Sequence, residues 1–210
     1  MADRRMEKKS EQEQNLKNCI ETVSEQILKI ARNELYLNMR FLDVALSSLA
    51  FVMDEAVRPL GTDGFCLYYH PQYLGGMYRE ERILVNRAYL HIVLHCIFRH
   101  LIRREGREKE RWNLSCDIVA ESMIDSMQHR SVRRSKSWLR RETYRKLRER
   151  MKVLTPDRVY GVLERWELSE QELRQLAEEF YVDDHCYWPE DDDRKRQNEI
   201  ENRWKRCSFA

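Results

Sequence analysis

Turn-forming residues are scarce in this chain, with six glycines and four prolines among 210 residues. That scarcity excludes a loop-rich all-β fold and favours long regular elements. The six cysteines (Cys19, Cys66, Cys96, Cys116, Cys186 and Cys207) are scattered and form no CxxC pair. The start, MADRRMEKKSEQEQ, is too polar for a signal peptide, which sets aside the disulfide framework of a small secreted domain. No long apolar run exists either. The longest, Val44 to Met53, is ten residues with two serines inside it, whereas a membrane span needs about 20. These absences lead us to expect a reducing, aqueous compartment, the cytoplasm. An excess of either charge is also lacking. Lys plus Arg number 38 against 36 Asp plus Glu, so local charge has to decide on a nucleic-acid partner.

What is present is a soluble composition, 35% charged and 42% apolar, long enough for one domain or for one domain with a helical extension. We expect residues 1–14 to be a disordered, charged start, 15–190 to form the domain and 191–210 to be a polar terminal segment. Leu16, Ile20, Val23, Ile27 and Ile30 recur every three or four positions and predict an amphipathic helix from Asn15 to Asn38. A second helix is expected over Phe41–Val57, closed by Pro59 and Gly61. Thr62-Asp63-Gly64 reads as a turn before the aromatic run Phe65 to Tyr69, the one strand expected. Helices are expected over Asn86–Arg104 and Asn113–Gln128. Thr155-Pro156 is a helix start, and Ser169 with Glu172 is a capping box before another helix ending at Phe180. The segment 131–150 holds nine basic residues against two acidic ones.

Chemistry is concentrated in the run Tyr89 to His100. Leu90, Val93, Leu94, Ile97, Phe98 and Leu101 fall on one helical arc, with His91 and His95 on its flank, one turn apart. Two imidazoles at that spacing offer two nitrogens to Zn²⁺; two packed or surface histidines would share the pattern. The next helix carries Asp117 and Glu121 one turn apart beside Leu114, Ile118 and Met123. A carboxylate on an apolar flank needs a partner or a metal, although an exposed acidic stripe with Asp125 would read the same way. His100 lies about 140° round a continuous helix from His95 and about 180° from His91. No Gly or Pro interrupts Cys96 to Arg99, so His100 is expected to face away.

Thr62-Asp63-Gly64, Tyr68-Tyr69-His70-Pro71, Leu90 to His100, Trp112 to Glu121 and, more loosely, Val182 to His185 with Trp188-Pro189 come in an order that resembles a known family. It is the bacterial zincin-like metallopeptidase domain found before a von Willebrand factor A-like domain and encoded beside a MoxR-type AAA+ ATPase. The resemblance implies a mostly α (α+β) zincin-like fold, with a short strand edging the cleft above the metal helix. It implies His91, His95 and Asp117 as metal ligands and a MoxR-type ATPase as partner; the family continues into an A-like domain, so we expect the chain to be either a fragment or a shortened relative. By resemblance, His185 also approaches the cleft.

The family motif is HExxH, whose Glu moves the protons of hydrolysis. Ile92 stands at that position and cannot accept a proton. Three readings follow: a metal-binding, non-proteolytic interaction domain; an active zinc metallopeptidase with Glu121 as the catalytic base; and a nucleic-acid binder using the basic stretch 131–150 with Trp138.

Overall fold

The computed structural model describes residues 2–207, with side chains from residue 11. The chain is mostly helical with one small sheet. Helix α1 (Ala2–Asn38) includes the predicted amphipathic helix. It is already helical from Ala2, where a disordered start was expected.

The expected second helix is not formed. A short 3₁₀ turn and α2 (Asp43–Leu46) take its first part, and β1 (Ala50–Met53) the rest. The apolar run divides after Ser47-Ser48, and Phe51-Val52 is better satisfied by pairing than by helix, a tertiary override of local preference. With β2 (Leu60–Thr62) and β3 (Cys66–Tyr69) it makes a sheet of order β1-β3-β2, so the single expected strand becomes three. β1 runs parallel to β3 and β2 antiparallel to it. Along β3, Leu67 and Tyr69 point inward while Cys66 and Tyr68 are half-buried, the period of two that a strand with one covered face shows.

Pro71 ends the strand and opens α3 (Pro71–Glu80) as its first residue, where no N–H is missed. After it comes α4 (Arg82–Phe98), the centre of the molecule. Val85 to Cys96 are all buried, without an exposed flank, because α1, α3, α5 (Lys109–Ser126) and α9 (Arg194–Cys207) surround the helix. Its end departs from expectation. Arg99 adopts the left-handed conformation at φ 59°, and His100–Ile102 form a 3₁₀ turn. A non-glycine residue pays a steric cost there, met by the cap from Arg99 N to Cys96 O and by Trp112, whose Nε1–H donates to the His100 carbonyl.

Helix α5 faces two cores. Cys116, Ala120 and Ile124 join the main one around α4. Leu114, Ile118 and Val119 join a smaller one made with α6 (Trp138–Arg150), α7 (Pro156–Arg165) and α8 (Glu170–Phe180). Ser169 and Glu172 form the predicted capping box of α8. The expected polar terminal segment is the packed helix α9. Its Ile200 and Trp204 are fully buried, and Trp204 Nε1–H donates to the Gly64 carbonyl. None of the helices among the described residues is long and apolar enough to cross a membrane.

Candidate metal centre

Helix α4 delivers two imidazoles, as its i,i+4 spacing promised. The Nε2 atoms of His91 and His95 lie 2.7 Å apart, and both rings are fully buried rather than half shielded. Helix α5 brings Asp117 against them. Its Oδ1 is 3.4 Å from His91 Nε2 and 3.2 Å from His95 Nε2. The expectation of a buried acid, not a surface stripe, holds for Asp117, Glu121 and the Asp125 carboxylate.

A fourth donor comes from the segment after α8, which sequence reasoning left out of the ligand set. Asp183 Oδ1 lies 3.2 Å from His91 Nε2 and 3.7 Å from His95 Nε2. One ligand atom from each of His91, His95, Asp117 and Asp183 can be chosen so that all four lie within 4.8 Å of one another. A glycine holds that segment in place. Asp184 N–H donates to the Leu60 carbonyl at 2.7 Å, next to a parallel bridge between Gly61 and Asp184. A Cβ on Gly61 would stand 2.8 Å from the Asp184 carbonyl oxygen, so only glycine allows this approach. His185 follows on a 3₁₀ turn and brings Nε2 to 3.1 Å from Asp117 Oδ1 and 3.2 Å from Asp183 Oδ1. The only sequence signal for this part was the Asp183-Asp184-His185 triplet.

Two further residues stand behind the rings. Glu121 Oε1 is 3.0 Å from His91 Nδ1, on the far side of the imidazole from the cluster. Its Oε2 accepts from Arg87 and from Arg140, each at 2.5 Å. The site expected for Glu121, facing the metal as a base, is therefore corrected: both its oxygens are engaged elsewhere. His100 stays out of the donor set, as expected, but the continuous helix assumed for it is corrected. The break at Arg99, which no Gly or Pro announced, swings it back until its Nδ1 lies 2.8 Å from His95 Nδ1. It supports a ring of the cluster without reaching the cluster itself. Ile92 is fully buried in the main core.

The charges here call for a cation. Burial favours neutral acids, yet the charge of His185 and hydrogen bonds from His185, His91 and His95 hold Asp117 well below the usual carboxylate range. Asp183 is likewise lowered against its burial by His185 and His95. Burial lowers the His185 pKa, but the two aspartates outweigh it and raise the pKa to about 10. Burial acts on His91 in the same direction and is overcome by hydrogen bonds to Asp117, Asp183 and Glu121, leaving it well above its usual value. Burial and the His91 charge lower His95. In this arrangement protons sit where a metal ion would neutralise the same two carboxylates. The fit is also geometric. Zinc at 2.0–2.1 Å from tetrahedral ligands places them about 3.3 Å apart, against the five separations of 2.7 to 3.7 Å here. Both Asp183 oxygens and His185 Nε2 are buried without a well-aligned hydrogen-bond partner, the condition a bound cation would relieve.

Residues 23–203 match the family model described as "Putative metallopeptidase domain". No match to the chain was found among curated proteins or among solved structures.

Proposed function

The chain belongs to that family of metallopeptidase domains, and on that premise we propose that it is a zincin-like, metal-binding domain that does not cleave peptides. His91, His95, Asp117 and Asp183 would hold Zn²⁺, the ion that two imidazoles and two carboxylates on a tetrahedral set suit. The observation that carries the proposal is the convergence of these four buried donors. A bound metal would supply positive charge to neutralise the two buried aspartates, and its four ligands would tie α4, α5 and the 183–185 segment together.

The residues around it act as supports. With Nε2 turned to the cluster, His91 carries its proton on Nδ1 and donates it to Glu121, which Arg87 and Arg140 hold still. His95 donates from Nδ1 to His100, which burial and the neighbouring histidines keep neutral. Such outer partners fix ring orientation and raise ligand basicity. Two observations favour a site without hydrolysis. Four protein donors fill the coordination that catalytic zinc leaves open, and Ile92 occupies the place of the proton-carrying glutamate. The remaining role is protein interaction, with a MoxR-type AAA+ ATPase as the partner that the sequence resemblance suggests.

Elemental analysis of protein purified without chelator tests this directly. About one Zn²⁺ per chain is expected, lost in His91→Ala and in His95→Ala. Fresh wild-type protein containing no transition metal would overturn the proposal.

A further inference from the structure

Of the basic stretch 131–150 only Arg140 serves the metal centre, through Glu121, yet the fold gives the rest a defined surface. Asn86 Nδ2 donates to the Ser131 carbonyl and Arg87 Nη1 to the Val132 carbonyl, so the loop ahead of α6 is anchored at its base. Beyond that anchor, Arg133, Arg134 and Lys136 join Arg141 of α6 around a hollow of about 250 Å³, floored by Arg87 and Asp125. Arg133, Arg134 and Arg141 are exposed, and Lys136 is half-buried. None of the four has a carboxylate partner among the described residues. Asp125 does not neutralise them, because Arg87, Arg140 and the Tyr144 hydroxyl already occupy its oxygens. A second cleft of about 650 Å³ shares Arg134, Ser135 and Lys136 with the hollow, but Glu178 and Glu179 also line it, so the basic surface is centred on the hollow itself. Trp138, 70% exposed, follows at the first turn of α6, one turn before Arg141, and stands outside the hollow on the rim of a separate cleft with Leu139, Glu142 and Lys146.

We propose that this face binds single-stranded nucleic acid, with phosphates in the hollow lined by Arg133, Arg134, Lys136 and Arg141 and a base stacked on Trp138. Three of the four cations are arginines, whose planar forks match phosphate oxygens in pairs. The anchored loop presents them without a large ordering cost on binding. An exposed indole beside a cationic track is the combination by which proteins hold single strands without reading sequence. An acidic peptide would use the arginines but leave Trp138 idle. A membrane would meet a convex basic plane better than a concave hollow.

Fluorescence anisotropy with labelled oligouridylate and oligothymidylate of about 12 nucleotides, on the full chain, tests the assignment. Four phosphate contacts predict that affinity falls about 50-fold between about 50 and 200 mM salt. Replacing Arg133, Arg134, Lys136 and Arg141 together with alanine is expected to weaken binding at least 10-fold at low salt and to flatten that dependence. Trp138→Ala is expected to weaken it roughly 5- to 100-fold while leaving the salt slope unchanged. Both variants are expected to keep the wild-type melting curve and zinc content, since none of the five is a buried core residue or one of the four donors. Absence of binding at about 50 mM salt, or unchanged binding by the quadruple variant, would overturn the proposal. So would indifference to Trp138→Ala, or equal affinity for polyglutamate or for phosphatidylserine vesicles, which would assign the cations to another partner.

Discussion

Asp117 and His100 show how different the neighbours of one metal centre are. Asp117 directs Oδ1 at both ligand nitrogens of α4, whereas His100 touches only the back of His95. Isothermal titration with Zn²⁺ is therefore expected to show at least a tenfold loss for Asp117→Ala and a comparable loss for Asp183→Ala. Glu121→Gln and His100→Ala remove outer partners and are expected to weaken binding by about 10- to 100-fold while one zinc per chain is still taken up at saturation. A His100→Ala protein that binds zinc as tightly as wild type would show that the His95 ring needs no such support. Ile92 governs a separate outcome. A positioned acid–base group contributes roughly 10²–10⁴ in rate, so casein cleavage by zinc-saturated protein is expected at background. Chelator-sensitive cleavage that disappears in Glu121→Gln would restore the peptidase reading.

At the scale of elements, the centre depends on how β2 and the segment after α8 lie together. Asp183 is supplied by a backbone that rests on Leu60 and Gly61, and the space for a side chain at Gly61 is filled by the Asp184 carbonyl. Gly61→Ala cannot be relieved by a rotamer change, because the obstacle is main chain. The variant is expected to lose about 1–3 kcal/mol of stability and to bind zinc more weakly, with His91 and His95 untouched. A Gly61→Ala protein with wild-type melting and zinc affinity would show that the strand does not set the position of Asp183. The break at the end of α4 works in a similar way. It is made by Arg99 in a left-handed cap and held by Trp112, so its cause lies in α5 rather than in the residues that break.

For the whole molecule, the four candidate donors come from three separate parts of the chain, at residues 91–95, 117 and 183, which a bound metal would join. Removing it leaves two buried aspartates balanced only by protons. At a free zinc concentration about 100 times Kd, binding adds about 2.7 kcal/mol to the stability of the folded state. For a chain of this size that corresponds to a Tm about 5–10 °C higher than after chelation. Scanning calorimetry of the two forms checks this; equal melting would mean that the cluster is held without an ion.

Several of these features were legible in the sequence because their physics is local. The period of apolar residues in α1, the capping box at Ser169 and Glu172, the i,i+4 pair His91 and His95, and the acid at Asp117 all follow from helix geometry over one or two turns. Glu121 was legible as a buried acid one turn from Asp117, but its role was not, since the arginines that hold it come from α4 and α6. Phe41–Val57 read as helix because its apolar run has no local breaker, while strand pairing 16 positions away along β3 decided otherwise. His100 was set aside by sound helix arithmetic that assumed a continuous helix. Asp183 carried no spacing to His91 at all, because a ligand delivered across 92 residues is placed by the sheet and not by any period. The sequence alone thus determined helices such as α1, α5 and α8 and which helix offers the imidazoles. The tertiary structure decided where the strands pair, which carboxylate completes the cluster and which residues stand behind it, because those depend on contacts between segments that no local periodicity records.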